Sequence, residues 1–357
     1  MFALHSYCVR KYSIYPTGIT DMIITTRAYP RAGLVGNPSD GYYGKTISFV
    51  FSNFHCEVVL YETPELEILP HTRDHSRFKN LQTLVEDVRL FGYYGGVRLL
   101  KATIKSFYDY CREQHLDLAN RQFTLRYQTN IPTRVGLAGS SAIITACLRA
   151  LMQFYGVNIS RPQQANLILS VEKNELGISA GLQDRVAQVY EGLVYMDFNR
   201  SIVERQGYGQ YEALDPGLLP PLYIAYHNDL SEGSEVFHND IRGRFERSDP
   251  GVVAAMKLWA NLTDQVRVCL LNGERERIGP LLNSNFDMRS KIYNISPGNL
   301  LIVDTARAVG ASAKFSGSGG AIVGSYADEA MYGRLVKALE AIHVKVIKPA
   351  IKFPEKE

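Results

Sequence analysis

The chain has 357 residues, 46% of them hydrophobic and 21% charged; this globular balance excludes disordered, collagen-like and coiled-coil classes, and the length favours two domains. With 39 Lys and Arg against 36 Asp and Glu, the net charge of +3 is too even to suggest a nucleic-acid binder on charge alone. No apolar run reaches the ~18 residues that a membrane span needs.

In chain order, residues 22–27 are β-branched and predict a strand, and 46–60 predict one or two more. Residues 81–110 have helical length and pattern, with a glycine-rich break at 92–96. Residues 123–129 alternate as a strand, and 140–155 form an apolar helix ending at Gly156. Ser160 and Pro162 supply a cap and first turn for a helix to about Glu175. A helix over 182–190 and a strand over 192–198 follow. Residues 200–221, with three glycines and three prolines, predict a linker. Beyond it come a strand at 222–226, helices at 254–271, 277–291 and 300–309, strands at 313–315 and 321–324 around a glycine turn, a helix at 327–342 and a strand at 344–347. The expectation is an α+β protein of two halves, 1–205 and 206–357.

The five cysteines, Cys8, Cys56, Cys111, Cys147 and Cys269, are scattered and predict buried free thiols in a reducing compartment. The first residues lack the apolar core of a secretory signal. A cytoplasmic protein is therefore expected.

Residues 132–142 read P-T-R-V-G-L-A-G-S-S-A, between a predicted strand and a long apolar helix. A glycine turn lets backbone N–H groups approach an anion, and the helix N-terminus adds donors and partial positive charge. The loop is neither a Walker motif nor a dinucleotide fingerprint. A plain turn capped by Ser140 is the alternative. Residues 27–40, R-A-Y-P-R-A-G-L-V-G-N-P-S-D, and 312–324, S-A-K-F-S-G-S-G-G-A-I-V-G, are two further turn-rich segments beside strands.

In this order and spacing, the three segments resemble the three motifs of the GHMP small-molecule kinases. The longer stretches 27–48, 129–143, 175–198, 285–289 and 314–321 resemble the plant-type glucuronokinase family most. The resemblance implies a two-domain fold, with an N-terminal phosphate-cradle domain and a C-terminal ferredoxin-like domain. It implies an ATP-dependent sugar-1-kinase acting on glucuronate with Mg²⁺. Another sugar of the superfamily (galacturonate, arabinose, fucose) or a non-catalytic sensor are the alternatives. A small-molecule enzyme without nucleic-acid or membrane partners is expected, as monomer or homodimer.

Residue roles follow from the same resemblance. Asp184 matches the catalytic Asp, and Arg31 the first-motif Arg beside it. Pro132, Gly136, Leu137, Ala138, Gly139, Ser140, Ser141 and Ala142 form the ATP loop. Ser141 and Glu172 match the Mg²⁺ ligands, with Glu175 the rival of Glu172. Asn37, Asp40, Gly317, Gly319, Gly320 and Arg289 fall on the substrate side. Asn37 replaces the Glu of galactokinase, a charge removal that suits an acidic sugar. A uronate needs a cation, ideally Arg; Arg134, Arg185 and Arg289 are the candidates.

Overall fold

The computed structural model describes residues 22–71, 74, 95–227 and 241–354. Its first elements are β1 (Ile23–Ala28), β2 (Arg31–Val35), β3 (Lys45–Val50), β4 (Cys56–Thr63) and β5 (Glu67–Leu69). Helix α1 (Gly96–Glu113), β6 (Gln122–Thr129), α2 (Gly139–Tyr155), α3 (Arg161–Ser170), α4 (Gln183–Tyr190) and β7 (Leu193–Asp197) follow. Next come α5 (Arg200–Gln206), β8 (Gln210–Leu214) and β9 (Leu222–Tyr226), then α6 (Pro250–Asn272), α7 (Ile278–Ile292) and α8 (Pro297–Ala308). The last are β10 (Lys314–Phe315), β11 (Ala321–Ser325), α9 (Glu329–Glu340) and β12 (Lys345–Ile347).

The strands form three four-stranded sheets, ordered β1-β4-β6-β5, β2-β3-β7-β8 and β10-β11-β9-β12. The third is the split β-α-β pattern of a ferredoxin-like unit, with β9 and β11 central. All five residues of β9 are buried, because the strand is covered on both faces. Ile224 and Tyr226 enter the main core, whereas Tyr223 and Ala225 enter a second core with Ile302, Val303, Leu335 and Leu339 of α8 and α9. The period-two direction of strand side chains divides one apolar run between two cores.

Helix α2 lies on the first sheet and is apolar nearly all round; Thr26 Oγ1 donates to its Ala146 carbonyl at 2.6 Å. Its C-terminus stops at Gly156, in the left-handed region at φ 66°, as glycine permits. Helix α6 runs behind the second sheet. Asp249 caps it by accepting from Gly251 N and Val252 N, and Thr263 Oγ1 donates to the Lys45 carbonyl at 3.0 Å. Buried Trp259 donates to the Asn285 carbonyl, joining α6 to α7.

The expected linker differs. Its glycines and prolines sit at element ends instead of forming an extended coil: Gly207 terminates α5 at φ 80°, and Pro216 opens a short 3-10 turn. Between them β8 pairs antiparallel with β7, so residues 210–214 complete a sheet of the N-terminal half, beyond residue 205. Strands β2 and β5 are also additional to those expected. The helix expected from residue 81 begins, within the described residues, at Gly96; residues 81–94 lie outside them. Cys56, Cys111, Cys147 and Cys269 are buried free thiols; Cys8 lies outside the described residues. Among the described residues, no helix is long and apolar enough to cross a membrane.

Candidate active site

Arg31 opens β2, a strand whose five residues are all buried. A buried guanidinium needs partners for its fixed fork of donors, and this one finds them on three separate segments. Nε donates to Asp184 Oδ1 at 2.6 Å, and Nη1 to the carbonyls of Gly136 at 2.7 Å and Ser316 at 3.1 Å. One side chain therefore ties the first motif to the glycine-serine loop, the third motif and the candidate catalytic carboxylate.

The backbone repeats the convergence. Gly33 N donates to the Ser316 carbonyl at 2.8 Å, and Arg31 N to that of Leu137 at 3.3 Å. A Cβ on Gly317 would meet the Gly136 carbonyl at 2.3 Å, so the two glycine loops touch as only bare backbone can. Gly136 and Ala138 hold positive φ of 69° and 62°, and α2 starts directly afterwards. Ala138 occupies the cap position, not Ser140, and its own side chain accepts nothing. Ser141 is buried and its Oγ donates to the Ala138 carbonyl at 3.2 Å. Pro132, Gly139 and Ser140 are half-buried around the turn, and Leu137 and Ala142 are buried beneath it. The first N–H groups of a helix have no intrahelical acceptor, so the turn presents donors to an anion.

Asp184 lies in the first turn of α4 and keeps about a fifth of its side chain exposed. Gln188, one turn on, donates to the carbonyls of Tyr29 and Ala138, both at 2.9 Å. The helix that carries Asp184 is thus bonded to both neighbouring motifs. Asp40 abuts the turn before α4: Gln183 N donates to its Oδ2 at 3.3 Å, and a Cβ on Gly181 would overlap that oxygen at 2.1 Å. Burial, reinforced by the charge of Asp184, pushes Asp40 up from 3.8 to about 6.

Asn37 is buried and takes Lys314 Nζ on Oδ1 at 2.6 Å. Asn285 holds the same turn, accepting from Gly36 N at 2.7 Å and donating to the Asn37 carbonyl. Arg289 binds the third-motif carbonyls of Gly317 at 3.0 Å and Ser318 at 3.1 Å, and lies 5.0 Å over the rings of Tyr293 and Phe315. Gly319 and Gly320 take φ of 148° and 76°, and Gly320 N donates to Asn299 Oδ1. Of the three candidate arginines, Arg185 is committed to Glu172 and the Gly181 carbonyl, while Arg134 sits exposed in the loop at φ 62°.

The proposed metal ligands are engaged separately. Helix α3 continues through a π-helical turn, Val171–Glu175, that carries Glu172. Its carboxylate is buried and paired with Arg185, whose Nε donates to Oε2 at 2.6 Å. Burial and neighbouring Arg31 lower Arg185 to about 9. Glu175 points outward to Lys105 on α1 at 2.6 Å. Among the described residues, no cluster of three or more His, Cys, Asp or Glu could hold a metal ion. Magnesium on a nucleotide needs fewer protein oxygens than that.

Gln183, Asn285 and Lys314 also belong to this cluster. Each falls in a stretch that carries the resemblance, 175–198, 285–289 and 314–321 respectively. Their contacts arise only because β2, α4, α7 and β10 meet.

A GHMP kinases N terminal domain model matches residues 98–192. Glucuronokinase 1 of Arabidopsis thaliana is 44% identical over 306 residues, 84% of this chain and 84% of that protein. Probable glucuronokinase 2 of the same plant is 43% identical over 314 residues, 86% of this chain and 85% of that one. The fold superposes on galactokinase of Lactococcus lactis, crystallised with galactose, at a TM-score of 0.72 and 15% identity, covering 94% of this chain and 95% of that one. With identity of this order across most of both chains, and three motif loops gathered on one arginine, the protein belongs to the glucuronokinase family of GHMP kinases.

Proposed function

We propose that this protein transfers the γ-phosphate of ATP to the anomeric hydroxyl of D-glucuronate, giving glucuronate 1-phosphate. The observation that carries the reading is Arg31, which bonds Asp184, the Gly136 carbonyl and the Ser316 carbonyl together. Phosphoryl transfer depends on positioning and charge neutralisation more than on covalent chemistry. The turn over residues 132–142 receives the phosphates on backbone N–H groups. Asp184 takes or orients the proton of the sugar hydroxyl. Arg31 orients that carboxylate and adds positive charge beside the group in flight. Asn37, Asp40 and the loop over 317–320 contact the sugar, with Arg289 holding the loop.

The hydroxyl of Ser141 and the carboxylate of Glu172 are hard oxygen donors that suit Mg²⁺. When bound, that ion neutralises phosphate charge. Ser141 is already in the first turn of α2, whereas Glu172 would share its carboxylate with Arg185.

Purified protein with MgATP and a panel of glucuronate, galacturonate, glucose, arabinose and fucose tests the reading by ADP release. Glucuronate is expected to exceed glucose by at least ~10²-fold in kcat/KM, the scale set by a site whose polar group goes unpaired with the wrong substrate. Equal use of the two would remove the uronate assignment.

A further inference from the structure

Lys314 is the least expected charge in the site. It opens β10 and is 1% exposed. Its ammonium donates to the Gly33 carbonyl at 2.6 Å, Asn37 Oδ1 at 2.6 Å and the Phe315 carbonyl at 2.7 Å. Three oxygen acceptors match the three N–H donors of an ammonium; a neutral amine would turn its lone pair on one of them. None of the three acceptors is a carboxylate. The charges acting on Lys314 are those of Arg289 and Arg31, both cationic, and with burial they lower it well below the usual lysine value. Burying an ammonium without a counter-ion is costly. A sugar acid bound beside Asn37 would lower that cost.

The lysine also settles Asn37. An ammonium has no acceptor, so the amide oxygen must face it, and the amide nitrogen faces away. One of that nitrogen's protons makes a long 3.4 Å contact to the Phe315 carbonyl, and the other is left to donate. Asn37 is therefore held as a donor to an incoming acceptor, backed by a positive charge.

We propose that Lys314 is a positioning residue for substrate selection: through Asn37 it fixes a donor, and by its buried charge it favours a sugar acid over the neutral sugar. This rests on the glucuronate reading above, which supplies the anion. Lys314 touches no substrate directly, since its three protons are already taken.

The test is the ratio of kcat/KM for glucuronate to that for glucose, measured on the full-length enzyme with MgATP. Lys314→Met is expected to lower the ratio by ~10-fold or more, the scale of one charge-assisted hydrogen bond, through poorer use of glucuronate. Asn37→Asp keeps the lysine and gives it an anionic partner. It should lower the ratio at least as far, and it carries the test alone if Lys314→Met does not fold. A structural role would depress both sugars together and leave the ratio unchanged; that result overturns the proposal. Wild-type enzyme that prefers glucuronate, with variants that keep the preference, overturns this inference and spares the function. Wild-type enzyme without preference overturns both.

Discussion

At the scale of single residues, the site rests on two carboxylates, Asp184 and Asp40. Asp184 shares Oδ1 with Arg31, whose side chain is only 5% exposed. Asp184→Asn removes the proton acceptor and leaves the buried guanidinium without its counter-ion. Activity should fall by ~10²–10⁴-fold. The melting temperature should fall as well, because one half of a buried pair remains. ADP release and thermal unfolding check the two effects; activity within a few-fold of wild type would remove Asp184 from the mechanism. Asp40 has a separate, pH-dependent effect. Its carboxyl titrates near 6 in the fold, raised from 3.8 by burial and by Asp184. The folded state therefore binds a proton more tightly than the unfolded chain. Its contribution is fully present below pH ~4 and is lost as pH rises to about 6, by up to ~3 kcal/mol. Asp40→Asn should flatten the stability profile over that window and raise stability at pH 8, while lowering activity through the lost sugar contact. Urea unfolding at pH 5 and pH 8 measures it; no gain at pH 8 would contradict the assignment.

At the scale of elements, short irregular segments do the positioning. The π-helical turn Val171–Glu175 changes the helical phase and sends Glu172 inward to Arg185, while Glu175 goes outward to Lys105. Three residues apart, they would share a face on a regular helix. Glu172→Gln leaves buried Arg185 with only its longer ion pair to Asp184 Oδ2, at 3.4 Å, and should cost on the order of 3 kcal/mol. As a metal ligand, Glu172 should also raise the Mg²⁺ concentration needed for half-maximal activity when replaced. Denaturant unfolding and an Mg²⁺ titration separate the roles: lost stability with an unchanged titration would make Glu172 purely the partner of Arg185. Helix α4 shows the same economy. With Asp184, Arg185 and Gln188, its eight residues reach Arg31, Glu172 and the loop over 132–142.

At the scale of the whole molecule, the cluster draws on distant stretches of the chain, and residues 348–352 tie back to residues 50–53. Arg31, Asn37, Asp40 and Asp184 come from the first half, and Arg289, Lys314 and the loop over 317–320 from the second. After β12 the chain crosses back along the end of β3: Ser52 N donates to the Ala350 carbonyl at 2.8 Å, and Lys352 N to that of Val50 at 2.9 Å. Asn53 adds a bond in each direction, to the Lys348 carbonyl and from Ala350 N. Removing residues 348–357 should cost ~2–4 kcal/mol, given ~1 kcal/mol for each of these four bonds. The loss should raise KM for sugar, because the second half supplies part of its site. Urea unfolding and kinetics check this; an unchanged midpoint would show that the crossing carries no load.

Much of this was legible from the sequence, for local reasons. Strands β1, β6, β7 and β9 and helices α2, α4 and α6 to α9 follow from apolar period, caps and glycine stops. The glycine-serine turn reads as an anion cradle because backbone donors at a helix start need no distant partner. The segment over 200–221 reads as a linker because glycine and proline mark linkers as well as element ends, and only the pairing of β8 with β7 distinguishes the two. The resemblance places Arg31 beside Asp184, but the residues' own pattern shows neither that pairing nor that of Lys314 with Asn37. Arg31 and Asp184 are 153 positions apart, and Lys314 and Asn37 are 277 apart. A charge's partner depends on which strands and loops meet, and burial sets the strength of the pairing. Sequence determined which groups were present; tertiary structure decided that Glu172 would lie with Arg185, that Lys314 would be buried on two carbonyls and an amide oxygen, and that one arginine would join three loops.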